Sequence, residues 1–182
     1  MAARQPLPTR WLMTDERLGE ALWAALERLP RGGGVVFRHY GLAPAERRAL
    51  FAKVAKVAQR RGLVLVRAGG VALRGEAGVH NGRGRGLVTA TAHGRREGVA
   101  GVRQGAAVLF VSPVYRTRSH PGARGLGLLR LRRIYAGLPV TVIALGGMDE
   151  ARFRRVRPLG VHGWAGIDAW ASAPQKRKAV PT

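Results

Sequence analysis

A cluster of hydrogen-bond donors follows the apolar run at residues 107–111. It comprises Tyr115, Arg116, Thr117, Arg118, Ser119 and His120. Hydroxyl, guanidinium and imidazole groups all donate hydrogen bonds to phosphoryl oxygens. An ordinary solvated loop has a similar composition, so the cluster alone indicates only a capacity to bind anions. Its meaning depends on whether other donors lie at corresponding places in the chain.

Arginines follow several other apolar runs of the sequence. Arg38 follows the second run, Arg67 the third, and Arg83 and Arg85 the fourth. If the runs are parallel strands of a barrel, their carboxyl ends meet at one rim, where ligands of such barrels bind. Arginine forks match phosphate oxygens well. The pattern therefore predicts that these arginines converge around a phosphorylated ligand.

Two glycine-rich segments stand after the last two apolar runs. Gly146 and Gly147 precede a helix predicted to begin at Asp149, and Gly166 and Ile167 end the last run. Glycine lets backbone N–H groups approach an oxyanion closely. In barrels of eight βα units, the last two strand ends commonly hold phosphate. We assign these four residues to ligand phosphate, although a single glycine pair is more often a simple turn.

Composition limits the classes of protein that the sequence can represent. The 182 residues include no cysteine, which excludes disulfides, thiolate catalysis and Cys-ligated zinc. His80 and His93 lack suitably spaced carboxylate partners, so a polar core or loop role is favoured over metal ligation. No apolar run approaches the about 20 residues of a membrane span, and no signal-peptide core is present. A cytoplasmic protein is expected.

The formal net charge of +22 comes almost wholly from arginine. Such an excess is typical of nucleic-acid or phosphate-ligand binding, or of arginines scattered over a solvated surface. The even spread along the chain favours the solvated surface. A nucleic-acid partner is the least favoured hypothesis, because the basic residues lack the interleaved aromatics of a stacking platform.

Eight short apolar runs separated by helical stretches predict the elements that position these residues. The runs cover residues 11–14, 34–37, 63–66, 78–80, 87–90, 107–111, 139–145 and 161–167. Continuous apolar strands between helices are typical of parallel βαβ units, so we predict an α/β protein with a closed (β/α)₈ barrel. An open doubly wound sheet is the alternative. The chain is shorter than the about 200 residues at the lower end for such barrels, so helices after strands three and eight are predicted to be short or missing.

The predicted organisation has one folded unit. Residues 1–9 form an N-terminal extension, residues 10–171 the barrel, and residues 172–182 a basic, disordered tail.

Four segments, read in order, resemble the motifs of the thiamine phosphate synthase and TenI family. They are GVHNGRGRG, the long stretch from TAHGRREG through SPVYRTRSHPGARG, then VTVIALGGM, and GVHGWAGIDA. Residues WLMTDER and FRHYG resemble the first two strand ends of that family. The resemblance covers roughly residues 10–170. It implies a (β/α)₈ barrel of thiamine biosynthesis in which a magnesium-bound pyrimidine diphosphate loses its diphosphate, and a thiazole phosphate captures the resulting carbocation through its nitrogen.

The resemblance also implies roles for individual residues. Arg38 matches an arginine of the second strand end, and Thr117 and Ser119 match a pair of hydroxyl residues that hold diphosphate. With His120 they form the predicted catalytic set. Thr91 matches a serine, and His93 the histidine that follows it. The predicted substrate-binding set is Arg67, Arg85, Thr91, His93, Gly146, Gly147, Gly166 and Ile167.

The sequence departs from the family where magnesium would be held. Arg67-Ala68 stands for Asn-Asp, and Arg85 stands for an aspartate, so both expected magnesium carboxylates are replaced. We predict no metal ligands and no cofactor, although magnesium is expected of the family, with Arg67 and Arg85 contacting phosphate directly in place of the ion.

Three further positions also differ from the family. Tyr40 and His120 stand for lysines and Asp168 for a serine, whereas Pro113 is retained where the tautomerase branch has a histidine.

Two functions remain open at the level of sequence. The favoured one is a transferase that joins phosphorylated pyrimidine and thiazole ligands to form thiamine phosphate. The alternative is a catalytically reduced TenI-like protein that binds such ligands or regulates their use. A homo-oligomer is compatible with both.

Overall fold

Eight parallel strands close into a barrel in the computed structural model, which describes residues 6–116 and 125–171. The strands are β1 (Arg10–Met13), β2 (Gly34–Phe37), β3 (Val64–Ala68), β4 (Gly78–His80), β5 (Leu87–Ala92), β6 (Val108–Val111), β7 (Thr141–Leu145) and β8 (Gly163–Gly166). Strand β8 pairs with β1, with Trp164 beside Arg10 and Gly166 beside Leu12. The predicted barrel is confirmed, and the open-sheet alternative is wrong.

Alternation along the strands separates the barrel interior from the outer layer. Trp11, Met13, Val36, Val66, Phe110, Ile143 and Ala165 fill the interior. Trp11 meets Phe110 edge to face, with 5.2 Å between ring centroids. The intervening strand residues face outward and pack against helices in two larger clusters. Because successive side chains alternate between faces, the inward residue at each strand's carboxyl end lines the barrel mouth.

Six helices cover the described part of the barrel. They are α1 (Ala21–Arg28), α2 (Pro44–Arg61), α3 (Arg95–Arg103), α4 (Gly127–Tyr135), α5 (Glu150–Val156) and α6 (Asp168–Ala171). As predicted, no helix follows β3. After β8, the part of the chain that the structure describes ends within α6, at Ala171. A further difference from a complete barrel was not predicted. Strand β4 is connected to β5 by residues 81–86, which contain no helix.

A buried ion pair holds the connection between β3 and β4. Arg67 Nε donates to Glu76 Oε2 at 2.6 Å, and Arg67 Nη1 donates to the carbonyls of Gly69 and Gly70 at 2.6 and 2.7 Å. Glu76 Oε2 also accepts from the Leu73 amide. One guanidinium and one carboxylate thus satisfy polar groups of a loop that occupies the place of a helix.

Residues 6–9 pack against the amino-terminal side of the barrel, where the Trp11 indole donates to Pro8 O at 2.8 Å and the Trp164 amide donates to Thr9 O at 2.9 Å. The predicted tail at residues 172–182 lies outside the described residues. Among those described, no helix combines the length and apolar character needed to cross a membrane.

Candidate functional site at the barrel mouth

Arg38 is fixed at the carboxyl end of β2 by the end of β1. Its Nε donates to Thr14 O at 2.9 Å, and its Nη2 donates to Asp15 Oδ2 at 3.2 Å. The Thr14 hydroxyl is itself held between the Arg38 amide and His39 Nδ1, both at 3.0 Å. These bonds orient the guanidinium while leaving further N–H donors, because an arginine carries five.

Asp15 joins two arginines at this rim. It caps the short turn at residues 16–18 by accepting from the Arg17 amide, and it pairs with the side chains of Arg17 and Arg38. Burial alone would raise the pKa of Asp15, but the hydrogen bonds from Arg17 and the charges of Arg17 and Arg38 outweigh it and lower the pKa. Asp15 therefore stays ionised and holds Arg38 in place.

His80 lies in the barrel interior between two threonine hydroxyls of β5. Its Nδ1 is 2.9 Å from Thr89 Oγ1, and its Nε2 is 3.1 Å from Thr91 Oγ1. Burial and the charge of Arg38 lower the pKa of His80 to about 4. The imidazole is therefore neutral at pH 7, and its interaction with Arg38 places the two groups in one electrostatic environment. The sequence indicated a polar core role for His80, and its position beside the mouth came only with the barrel register.

The two β5 threonines satisfy both ring nitrogens of His80. In a neutral imidazole one nitrogen donates to a threonine hydroxyl and the other accepts from one. Thr91 is also anchored through its amide, which donates to Asn81 Oδ1 at 2.7 Å.

Gly146 and Gly147 form a corner after β7 that only glycine fits. Their φ angles are +91° and +59°. A Cβ on Gly146 would lie 2.7 Å from Pro113 Cα, and one on Gly147 would lie 2.4 Å from Arg116 O. The corner is joined to the end of β6, because the Tyr115 amide donates to Gly146 O at 3.1 Å. The glycine corner therefore lies beside Tyr115 and Arg116, the described part of the donor cluster predicted after strand six.

The end of β8 completes the rim. Gly166 is buried, and Ile167 packs against the interior cluster. The exposed carboxylate of Asp168 interacts with Arg17 and contributes to raising the pKa of that guanidinium, after the larger effects of Asp15. A negative charge that would repel phosphate thus lies beside a compensating arginine.

The barrel and its motifs match a family of known proteins. The family model described as thiamine monophosphate synthase matches residues 11–170, almost the whole barrel. The chain belongs to the thiamine monophosphate synthase family. The resemblance carried by the four motif segments is thereby confirmed.

Individual members of the thiamine monophosphate synthase family are similar to parts of the chain. It is 32% identical over 94 residues to thiamine-phosphate synthase of Pyrococcus furiosus, covering 52% of this chain and 45% of the relative. It is 35% identical over 97 residues to that of Geobacillus kaustophilus, covering 52% and 43%. The matched segments thus span less than half the length of these relatives. The solved thiamine phosphate pyrophosphorylase of P. furiosus superposes with a TM-score of 0.75 at 25% identity, covering 94% of this chain and 91% of that one.

Two residues predicted from the family motifs do not join Arg38 at the mouth. Arg67 points to the outer layer, its side chain is 7% exposed, and its donors are used by Glu76, Gly69 and Gly70. Arg85 stands two residues before β5 begins, and the adjacent Gly86 lies against Ala77, which precedes β4. It is therefore at the opposite, amino-terminal edge of the strands. The predicted convergence of Arg38, Arg67, Arg83 and Arg85 is wrong. Strand parity turns Arg67 outward, the short connection carries Arg85 away, and Arg83 lies against α3 on the outside of the barrel.

The other predicted residues either have definite places or lie outside the described ranges. His93 is exposed after β5, where Glu97 Oε2 accepts from its amide at 2.8 Å and lies 2.9 Å from its Nδ1. These hydrogen bonds lower the pKa of Glu97. Thr117, Ser119 and His120 lie outside the described residues, so their catalytic roles stay predictions.

The family's magnesium does not fit the residues that the structure shows. Within residues 6–116 and 125–171, no three His, Cys, Asp or Glu side chains come together in a way that could hold a metal ion. At the two family positions for magnesium carboxylates stand Ala68, which is buried in the interior cluster, and Arg85, which lies at the amino-terminal edge of the strands. Neither position supplies a carboxylate to the mouth, so we assign no step of the chemistry to magnesium.

Proposed function

We propose that this chain acts in thiamine biosynthesis by binding phosphorylated pyrimidine and thiazole ligands at the barrel mouth and joining them to form thiamine phosphate. In that reaction the bond between the pyrimidine methylene carbon and the diphosphate oxygen breaks, and diphosphate leaves with the electron pair. The lone pair of the thiazole nitrogen then forms the new carbon–nitrogen bond. Family membership supports this reaction class, and the mouth supports the ligand class.

The proposal rests on the position of a fixed cation, Arg38, beside a neutral imidazole, His80. Arg38 is oriented by Thr14 and Asp15, with donors left for an anion. Beside it, His80 remains uncharged at pH 7 and is hydrogen-bonded to Thr91. A developing carbocation is repelled by nearby positive charge, whereas the departing diphosphate needs it. A mouth with a fixed guanidinium for the anion and a neutral imidazole beside it suits both requirements.

The direct test is a synthase assay on the full chain with purified pyrimidine diphosphate and thiazole phosphate, following thiamine phosphate by chromatography. Arg38→Gln is expected to lower kcat/KM by at least tenfold, because a charge-assisted hydrogen bond contributes about 1.5–3 kcal/mol. Arg154→Gln, an exposed substitution on α5 with the same change in charge, is expected to leave it unchanged. Equal rates for the two variants would contradict a role for Arg38 at the reacting diphosphate.

A second candidate is supported by the loss of both magnesium carboxylates of the family, because Ala68 and Arg85 stand at their positions. On that observation the chain is a TenI-like protein that binds phosphorylated ligands without joining them. Isothermal titration with thiazole phosphate, pyrimidine diphosphate and thiamine phosphate, run beside the synthase assay, separates the candidates. Tight binding without product supports the binding protein, and product formation supports the transferase. Both candidates place the chain in the cytoplasm with small phosphorylated molecules as partners.

A further inference from the structure

One face of α3 is left without a covering helix. In a complete barrel, a helix between β4 and β5 would pack beside it, but residues 81–86 make that connection as a short loop. The uncovered face carries Arg96, Val99, Ala100, Arg103 and Gln104. Their spacing of three, four, seven and eight residues places them along one side of the helix. The missing helix thus exposes a strip of surface along the barrel's outer flank.

This strip forms one wall of a cavity of about 480 Å³ whose other wall includes Arg83 from the short loop. The cavity lining contains three arginines and one glutamine but no carboxylate and no aromatic residue. Across the described ranges, none of the three guanidinium groups makes a hydrogen bond or an ion pair. All three residues are exposed. We define this set, Arg83, Arg96, Arg103 and Gln104, as the flank cluster.

The surrounding sequence adds to the positive potential of the flank cluster. The short loop and α3, which together with β5 span residues 81–103, contain five arginines and a single acidic residue, Glu97. Glu97 is already hydrogen-bonded to the amide and ring of His93. Charges of one sign lining a cleft raise the local concentration of oppositely charged ligands. The part of the chain that bears the flank cluster therefore attracts anions strongly.

We propose that the flank cluster is a second ligand site, separate from the barrel mouth, that binds a small molecule carrying several linked phosphoryl groups. Arg96 and Arg103 are seven residues apart on α3, which separates them by about 10 Å along the helix axis. A chain of linked phosphoryl groups can contact both of these guanidinium groups and that of Arg83 opposite at the same time, each through its own oxygens. The cavity volume falls within the range of small-molecule sites, about 300–1,000 Å³.

The lining also limits how the ligand is recognised. Val99 and Ala100 form a small apolar floor between the two α3 arginines, and Gln104 offers an amide. Without an aromatic side chain, the lining offers no stacking surface for a base. Recognition therefore depends on the phosphoryl groups. The flank cluster lies outside the barrel, so it cannot share a ligand atom with Arg38 in the interior.

The proposal is tested with inorganic tripolyphosphate as the probe, titrated into the full chain by isothermal calorimetry. The triple variant Arg83→Gln/Arg96→Gln/Arg103→Gln is expected to weaken binding at least tenfold. The matched control Arg154→Gln/Arg155→Gln/Arg157→Gln removes the same charge from exposed positions near α5 and is expected to change it less than twofold. Equal affinity in the two triple variants would overturn the proposal, since any binding would then belong to the mouth or to net charge.

A further measurement distinguishes a small phosphorylated ligand from a nucleic acid. Binding of a fluorescent 20-nucleotide RNA is measured with and without tripolyphosphate. If the triple flank variant loses RNA binding that tripolyphosphate does not displace from the wild type, the partner is a nucleic acid and the proposal is overturned.

Thiamine phosphate synthesis by the triple flank variant is expected to equal that of the wild type. Loss of synthesis with retained tripolyphosphate binding would contradict the separation of the two sites.

Discussion

His80 Nε2 lies 3.1 Å from Thr91 Oγ1, across the boundary between β4 and β5. His80 is paired with Thr89 in the strand register, so its ring nitrogens reach one hydroxyl beside it and another two residues further along β5. This arrangement satisfies both nitrogens of a neutral imidazole. The two hydroxyl oxygens could also accept from an imidazolium, but burial removes the water that would solvate its charge, and the charge of Arg38 opposes it further. The barrel interior therefore selects the uncharged form.

The first prediction is a specific pH dependence of stability. Unfolded His80 takes up a proton near pH 6.5, whereas the folded pKa is about 4. The unfolded state binds more protons between these values, so the free energy of unfolding falls as pH drops through this window and is unaffected by His80 above it. Urea titrations measure the free energy of unfolding at pH 7.5 and 4.5. Between these values it is expected to fall by about 2 kcal/mol more in the wild type than in His80→Asn. Equal losses would show that His80 is not held neutral.

The second prediction concerns the ion pair that replaces a helix after β3. Glu76→Gln leaves the buried guanidinium of Arg67 without its counter-charge. Breaking a buried pair costs about 3–5 kcal/mol, and the lower end is expected here because the Glu76 side chain is 16% exposed. Glu27→Gln is the matched control, because Glu27 pairs with Arg60 and Arg61 at the surface with its side chain 46% exposed. It is expected to cost about 1 kcal/mol or less. Urea unfolding measures both changes, and similar values would show that the Arg67 pair is effectively solvated.

The sequence predicted the barrel because its signal is repeated. Eight apolar runs at similar spacing permit few arrangements, and a misplaced boundary in one run does not alter the others. The site was harder to predict from the sequence, because the role of an arginine depends on which face of a strand it occupies. Arg38 and Arg67 both accompany a strand's carboxyl end, yet one faces the interior and the other the outer layer.

Connections without helices were the other source of error. The sequence showed few residues between strands three and four, and the absence of a helix there was predicted. The loop at residues 81–86 is shorter still, but its arginines were interpreted as mouth residues because the carboxyl end of β4 precedes them. Six residues carry the chain back to the start of β5, so Arg85 ends at the amino-terminal edge. A signal was present in the distance from Arg85 to the next apolar run, which leaves no room for it to remain at the mouth.

The third prediction concerns the glycine corner after β7. Gly147→Ala places a methyl group 2.4 Å from Arg116 O at a φ of +59°, so both strain and collision oppose it. Gly160→Ala is the control, because its φ of +84° imposes strain but nothing lies within 4 Å of the added carbon. The control is expected to cost about 1–2 kcal/mol in urea unfolding, which is the usual penalty for a left-handed alanine. Gly147→Ala is expected to lower the free energy of unfolding by more than the control does and also to weaken thiazole phosphate binding. An equal loss of stability with unchanged binding would show that the glycine corner is not part of the ligand site.

The fourth prediction separates the charge of Arg38 from its geometry. Lysine retains the positive charge, but its single ammonium cannot donate to Thr14 O and Asp15 Oδ2 and still present a fork to phosphate. Calorimetric affinity for thiazole phosphate or pyrimidine diphosphate is expected to fall about tenfold to a hundredfold in Arg38→Gln. Arg38→Lys is expected to recover only part of that loss. Full recovery by lysine would show that the mouth needs only a positive charge, and the bonds from Thr14 and Asp15 would then serve the fold alone.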